Sequence, residues 1–192
     1  MFLLYAVVIG LVLGILLGGR AAGLAAIRIR WPGAVVGGLL VQVALFSPQV
    51  ASRVGDLGPP IYVASTLLVV AAVLRNLALP GMALVAAGAA CNLVAIVANG
   101  GSMPASAAAV ALMGGAPAAL EAGYSNSSVA ADPRLWFLTD VFAMPRALPF
   151  ANVFSVGDLL IGAGIAAVIV LAMRSARTTE PSPLAPVDPA DA

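Results

Sequence analysis

The chain contains no histidine, no lysine and one cysteine. Without histidine there is no Ser-His-Asp triad, and both the commonest metal ligand and the usual neutral-pH general base are missing. A single cysteine, Cys91, excludes an intrachain disulfide. It lies in an apolar run with no cation beside it in sequence to stabilise a thiolate, so it reads as a structural cysteine. Charge is also scarce. Only 9% of the residues are charged, every basic one is arginine, and the net charge is +1, which argues against a nucleic-acid partner. The sequence implies no cofactor and no metal site.

What fills the chain instead is hydrophobic. Of 192 residues 62% are apolar, and the mean hydropathy is +1.08. A soluble domain is about 45–50% apolar and about 25% charged. This excess predicts an all-α polytopic transmembrane bundle of about five spans, with the lipid bilayer as its solvent.

The apolar runs place the spans near residues 2–18, 33–47, 60–75, 80–98 and 156–173. The first run lacks the basic segment of a signal peptide, so it reads as a retained span. Gly10, Gly14 and Gly18 share one of its faces at four-residue spacing, which suits close helix packing within the chain, a membrane-protein partner or a homo-oligomer. Gln42 and Asn92 are polar groups inside spans and need partners there. Residues 47–60 read as a loop ended by Pro59-Pro60. Residues 105–113 are too short to cross about 30 Å of hydrocarbon and read as an interfacial or re-entrant helix within an extracytoplasmic segment, 99–154. Residues 114–132 read as a polar loop, and 177–192 as a disordered Pro/Ala-rich tail. Orientation follows from arginine placement. Arg20, Arg28, Arg30, Arg75, Arg174 and Arg177 fall on one side, and Arg53, Arg134 and Arg146 on the other. The positive-inside rule then puts the N-terminus outside and the C-terminus in the cytoplasm of a bacterial cell membrane.

The suggestive chemistry falls on the outer side. Asp158 opens the last apolar run, where the helix dipole favours an acid and Ser155 could act as N-cap; an ionisable group at a helix mouth also marks a candidate site. Asp140 precedes it by 18 positions (140 and 158), a spacing that permits a carboxylate pair splitting into acid and base. Asn99, Gly100 and Gly101 form a turn that could offer amide and backbone donors to a ligand, or be only a turn.

The Asn99-Gly100-Gly101-x-Met103-Pro104 turn, Leu135-Trp136-Phe137-Leu138-x-Asp140, Pro145 and Ser155-Val156-Gly157-Asp158 together resemble a bacterial multi-pass membrane family known only as a domain of unknown function. The likeness covers about residues 1–174 and implies topology and location rather than mechanism. Members often carry a histidine before the Leu-Trp segment, and this chain has none. A second, weaker resemblance is to lipoprotein signal peptidase, an intramembrane aspartyl protease whose last helix opens on a Phe-Asn-x-Ala-Asp pattern with a second aspartate upstream. Phe154-Ser155-Val156-Gly157-Asp158 and Asp140 stand in comparable places, but Asp140 is not followed by arginine and the span number differs. The resemblance implies Asp140 and Asp158 as its catalytic pair. Three readings follow: a protein binding a lipid, peptide or partner subunit at the outer polar site, an aspartyl peptidase, or a small transporter. The last needs ionisable groups buried in the middle of the spans, and there are none mid-span.

Overall fold

A computed structural model of the chain describes residues 2–113, 127–129 and 132–175. It is mostly helical. In chain order the helices are α1 (Phe2–Leu16), α2 (Pro32–Leu45), α3 (Pro48–Val54), α4 (Gly58–Leu74), α5 (Met82–Ala98), α6 (Ala107–Leu112) and α7 (Val156–Ser175). The strands are β1 (Met103–Ala105), β2 (Ser127–Val129), β3 (Phe142–Ala143) and β4 (Val153–Phe154). Pro48–Leu74 and Val156–Ser175 are long and apolar enough to cross a membrane; Phe2–Leu16, Pro32–Leu45 and Met82–Ala98 are apolar but shorter.

No charged residue lies within α1, α2, α4 or α5. α7 carries Asp158 in its first turn and Arg174 in its last, each where the helix dipole favours its sign. α7 packs on α1 and α5, α2 packs on α4, and α4 on α5. Glycines set these distances. A Cβ at Gly10 would come within 2.9 Å of the Ala166 Cα, and one at Gly164 within 2.8 Å of the Gly81 carbonyl oxygen. Van der Waals packing of close backbones is what holds apolar helices together where no water drives their association. Gly10 and Gly14 thus face α7 within the chain, whereas Gly18 lies in the turn after α1 with φ +74°. Between α2 and α4, Gln42 Nε2 donates to Thr66 Oγ1 at 3.3 Å. The outward faces stay apolar: Ile9, Ile15 and Leu16 on α1 and Val36, Leu40 and Val43 on α2 are all exposed.

One end of the bundle is a cap. β1 pairs with β2 in parallel (Met103↔Ser127), Ala105 bridges to Asp140, and β3 pairs antiparallel with β4 (Phe142↔Phe154). Phe154 stacks between Phe2, with centroids 4.5 Å apart, and Phe142, 5.4 Å apart, tying the start of α1 to the cap. Beneath it lies a buried cluster of Leu45, Tyr62, Ala95, Ile96 and Met103.

The other end is closed by a strap, residues 20–31. Arg20 N–H donates to the Met173 carbonyl at 2.8 Å, and a 3₁₀ turn (Ala21–Ala26) follows. Asn76, just past α4, then clamps the strap. Its Oδ1 accepts from Arg30 N–H at 2.7 Å, and its Nδ2 donates to the carbonyls of Arg30 at 2.8 Å and Ala72 at 2.7 Å.

Four expectations change. Residues 47–60 are not a loop: α3 and a 3₁₀ turn (Gly55–Leu57) run into α4. Pro48 and the Pro59-Pro60 pair sit in first turns, where a missing N–H costs nothing, so they start helices rather than interrupt them. The fold is not purely α, because the cap adds short strands. Within the expected interfacial helix at 105–113 only Ala107–Leu112 is helical. Of the expected loop at 114–132, Ser127–Val129 forms β2, while residues 114–126 and 130–131 lie outside the described residues, as does the expected tail at 177–192.

Candidate functional site

β4 ends at Phe154 and α7 starts at Val156, leaving Ser155 as the N-cap. The order Ser-x-x-Asp then closes a capping box. Asp158 N–H donates to Ser155 Oγ at 3.0 Å, and Ser155 N–H donates to Asp158 Oδ2 at 3.0 Å. Each side chain satisfies a backbone donor that the helix start would otherwise leave unpaired.

Asn92, on the facing side of α5, completes the cluster. Its Nδ2 donates to Asp158 Oδ1 at 3.0 Å, and its Oδ1 accepts from Ser155 Oγ at 2.9 Å. The same hydroxyl lies 3.1 Å from Asp158 Oδ2, so its one proton has two acceptors. Ser155 is fully buried, while Asn92 and Asp158 are half-buried. Gly157 makes this approach possible: a Cβ there would collide with the Asn92 amide and lie 2.7 Å from the Gly88 carbonyl oxygen. Both Asp158 oxygens are therefore held by fixed donors.

Asp140 is held differently. It is buried, its N–H donates to the Pro104 carbonyl at 3.0 Å, and its carbonyl accepts from Ser106 N–H at 2.9 Å. Its neighbour Thr139 is buried too and donates through Oγ1 to the Trp136 carbonyl at 2.6 Å. Asp140 and Asp158 stand at the same end of the bundle, one along β1 and the other between α5 and α7.

The Asn99-Gly100-Gly101 turn is a helix terminus. Gly101 N–H donates to the Ile96 carbonyl at 2.8 Å and Gly100 N–H to the Val97 carbonyl at 3.3 Å, with φ +70° at Gly100: a Schellman motif. The Asn99 amide donates to the carbonyls of Ala95 at 2.8 Å and Arg134 at 2.9 Å and accepts from Arg134 N–H at 2.9 Å. These donors bind the chain's own backbone.

Charge is divided between the two ends. Among the described residues the strap end carries Arg20, Arg28, Arg30, Arg75 and Arg174 and no acid, a formal +5. The cap end carries Arg53, Arg134 and Arg146 with Asp56, Asp132, Asp140 and Asp158, a formal −1. No described group of three or more His, Cys, Asp or Glu side chains gathers at either end.

Sequence reasoning placed Asn92 among polar groups needing a partner and did not join it to Asp158. The available signal was Gly157: a glycine beside a helix-start acid permits a facing side chain to reach it. Residues 26–170 match the family of unknown function DUF5317, and the chain belongs to that family. No curated protein and no solved structure matches it.

Proposed function

We propose that this member of DUF5317 is a five-span integral protein of a bacterial cell membrane, N-terminus outside and C-terminus in the cytoplasm, that binds a lipid, peptide or partner subunit at its extracytoplasmic cap. The observation that carries the reading is the division of charge along the bundle. The long helices are uncharged between their ends, their outward faces are apolar, and the strap end holds five arginines without an acid among the described residues. That is the pattern of a bundle with its basic end in the cytoplasm. At the cap, Asn92, Ser155 and Asp158 form a closed network that holds α5 against α7, which suits a rigid binding surface. Trp136, Phe137 and Phe150 are exposed on the same cap, as aromatic residues at headgroup level are.

A second reading is an intramembrane aspartyl peptidase using Asp140 and Asp158, supported by their position at one end of the bundle. Two experiments separate the readings. In a Cys91→Ser background, single cysteines at Trp136 and Phe150 react with a membrane-impermeant maleimide from outside intact cells, and a cysteine at Arg28 reacts only after permeabilisation; the reverse pattern overturns the topology. Purified chain leaves a panel of lipopeptides and membrane peptides uncut. Cleavage that disappears in both Asp140→Asn and Asp158→Asn replaces the binding reading with the peptidase.

A further inference from the structure

The strap roofs a crevice between α2, α4, α5 and α7. The hollow has a volume of about 350 Å³ and is lined by Ile27, Ile29, Val35, Val73, Val85 and Ile165 among others; its one polar lining residue, Asn76, is engaged by the clamp. A neighbouring hollow of about 180 Å³ shares Ile27, Leu79 and Val168 with it. The first volume falls in the range of about 300–1,000 Å³ typical of small-molecule sites. Past Ile27, whose backbone is extended, the strap is non-helical, and extended chain sends alternate side chains to opposite sides. Ile27 and Ile29 line the crevice; Arg28 and Arg30 are exposed. Arg75 adds a third cation, its guanidinium 5.2 Å from the centroid of the Trp31 ring. Among the described residues no acid lies within ion-pair distance of any of the three.

We propose that this crevice is a site for an anionic phospholipid, with an acyl chain against Ile27, Ile29 and the facing helices and the phosphate at Arg28, Arg30 and Arg75. The proposal rests on the membrane reading above. Apolar lining selects a hydrocarbon chain, and three guanidiniums with no acid partner among the described residues, Arg28 and Arg30 on the outer face of the strap and Arg75 against Trp31, select a negative headgroup, which arginine holds through paired N–H donors. Trp31 stands in the same strap and is half-exposed, so it reports on the site.

The test uses the purified full chain in detergent with Trp136→Phe, which leaves Trp31 as the single tryptophan. Brominated-chain phosphatidylglycerol and brominated-chain phosphatidylcholine are titrated separately, and quenching of Trp31 is read. Saturable quenching by phosphatidylglycerol at about one tenth the mole fraction needed for phosphatidylcholine is expected, since each arginine near a lipid surface adds to the attraction for anionic headgroups. The Arg28→Gln/Arg30→Gln variant moves the phosphatidylglycerol midpoint to that of phosphatidylcholine. Ile165→Phe, which fills the crevice from α7, lowers the quenching amplitude while leaving the melting temperature near that of the parent. Equal midpoints for the two lipids overturn the proposal, as does an unchanged midpoint in the double variant. Displacement of the lipid by millimolar glycerol phosphate as effectively as by unlabelled phosphatidylglycerol assigns the arginines to a free phosphate and also overturns it. A reversed maleimide pattern, by contrast, refutes the membrane topology without touching the lipid titration.

Discussion

The bond between Asn92 and Asp158 joins two helices that are 66 positions apart in sequence at that point, and a double-mutant cycle measures it. Asn92→Ala removes an amide donor to a carboxylate and an acceptor for the Ser155 hydroxyl. A hydrogen bond to a charged partner contributes about 1.5–3 kcal/mol and a neutral one about 1 kcal/mol. Because Asp158 is only half-buried, the lower part of the first range applies, which places Asn92→Ala near 2–3 kcal/mol. Asp158→Ala loses the same interhelical bond together with the reciprocal capping bond from Ser155 N–H, and falls in the same range of about 2–3 kcal/mol. The shared bond should appear as a coupling of about 1.5 kcal/mol, with the double variant less destabilised than the sum of the singles. The assay is thermal unfolding of purified chain in detergent, where each single variant lowers the midpoint by roughly 5–10 °C at about 2–4 °C per kcal/mol. Asn92→Asp provides a control, because a second carboxylate facing Asp158 should be worse than alanine. Additivity within about 0.5 kcal/mol would show that the amide does not hold Asp158, and the account of the cap as a rigid network would fall with it.

Gly157→Ala drives a methyl into the Asn92 amide and the Gly88 carbonyl, and overpacking of this kind costs about 1–3 kcal/mol; a variant that melts with the parent would refute the close approach of α5 and α7. Asn76→Ala leaves the Arg30 N–H and carbonyl without their partner and should cost about 2–3 kcal/mol. Limited trypsin digestion should then cut after Arg28 or Arg30 at least several-fold faster, whereas an unchanged digestion rate would mean the strap is held elsewhere. Leu135, at φ +52°, should tolerate glycine better than alanine, since left-handed backbone costs a non-glycine residue about 1–2 kcal/mol; thermal melts of Leu135→Gly and Leu135→Ala check the order.

The long helices coincide within a few residues with the apolar runs, because a helix with no charge in its interior announces itself by composition alone. The Ser155 cap and the favourable place of Asp158 were legible too, since both depend on residues three positions apart on one helix start. Three things were not. The cap strands are two or three residues long, below the length at which alternation can be recognised. The proline pair at residues 59–60 carries opposite meanings before and within a first turn, and only the preceding 3₁₀ turn decides between them. The partner of Asn92 was hidden for a third reason. Nothing local to α5 shows that α7, rather than α1 or α2, lies against it.

One device recurs at the two ends. Ala72-Val73-Leu74-Arg75-Asn76 closes α4, and Ala95-Ile96-Val97-Ala98-Asn99 closes α5; in each the alanine is fully buried and its carbonyl takes the asparagine Nδ2. Each asparagine then pairs with both backbone groups of an arginine, Arg30 or Arg134, in a distant segment. The residue after each arginine is left-handed: Trp31 at φ +58° and Leu135 at φ +52°. Such backbone persists in a bulky residue only where its surroundings over-determine it. Two bonds fixing the preceding peptide groups supply that constraint, and the chain turns directly from the clamp into a helical segment, α2 at one end and the 3₁₀ turn Trp136–Leu138 at the other. The strap and the cap are therefore fastened by the same chemistry, an asparagine amide reading an arginine's main chain. This leaves the guanidinium groups of Arg28 and Arg30 outside the fastening, and on the strap that is where the proposed lipid phosphate is held.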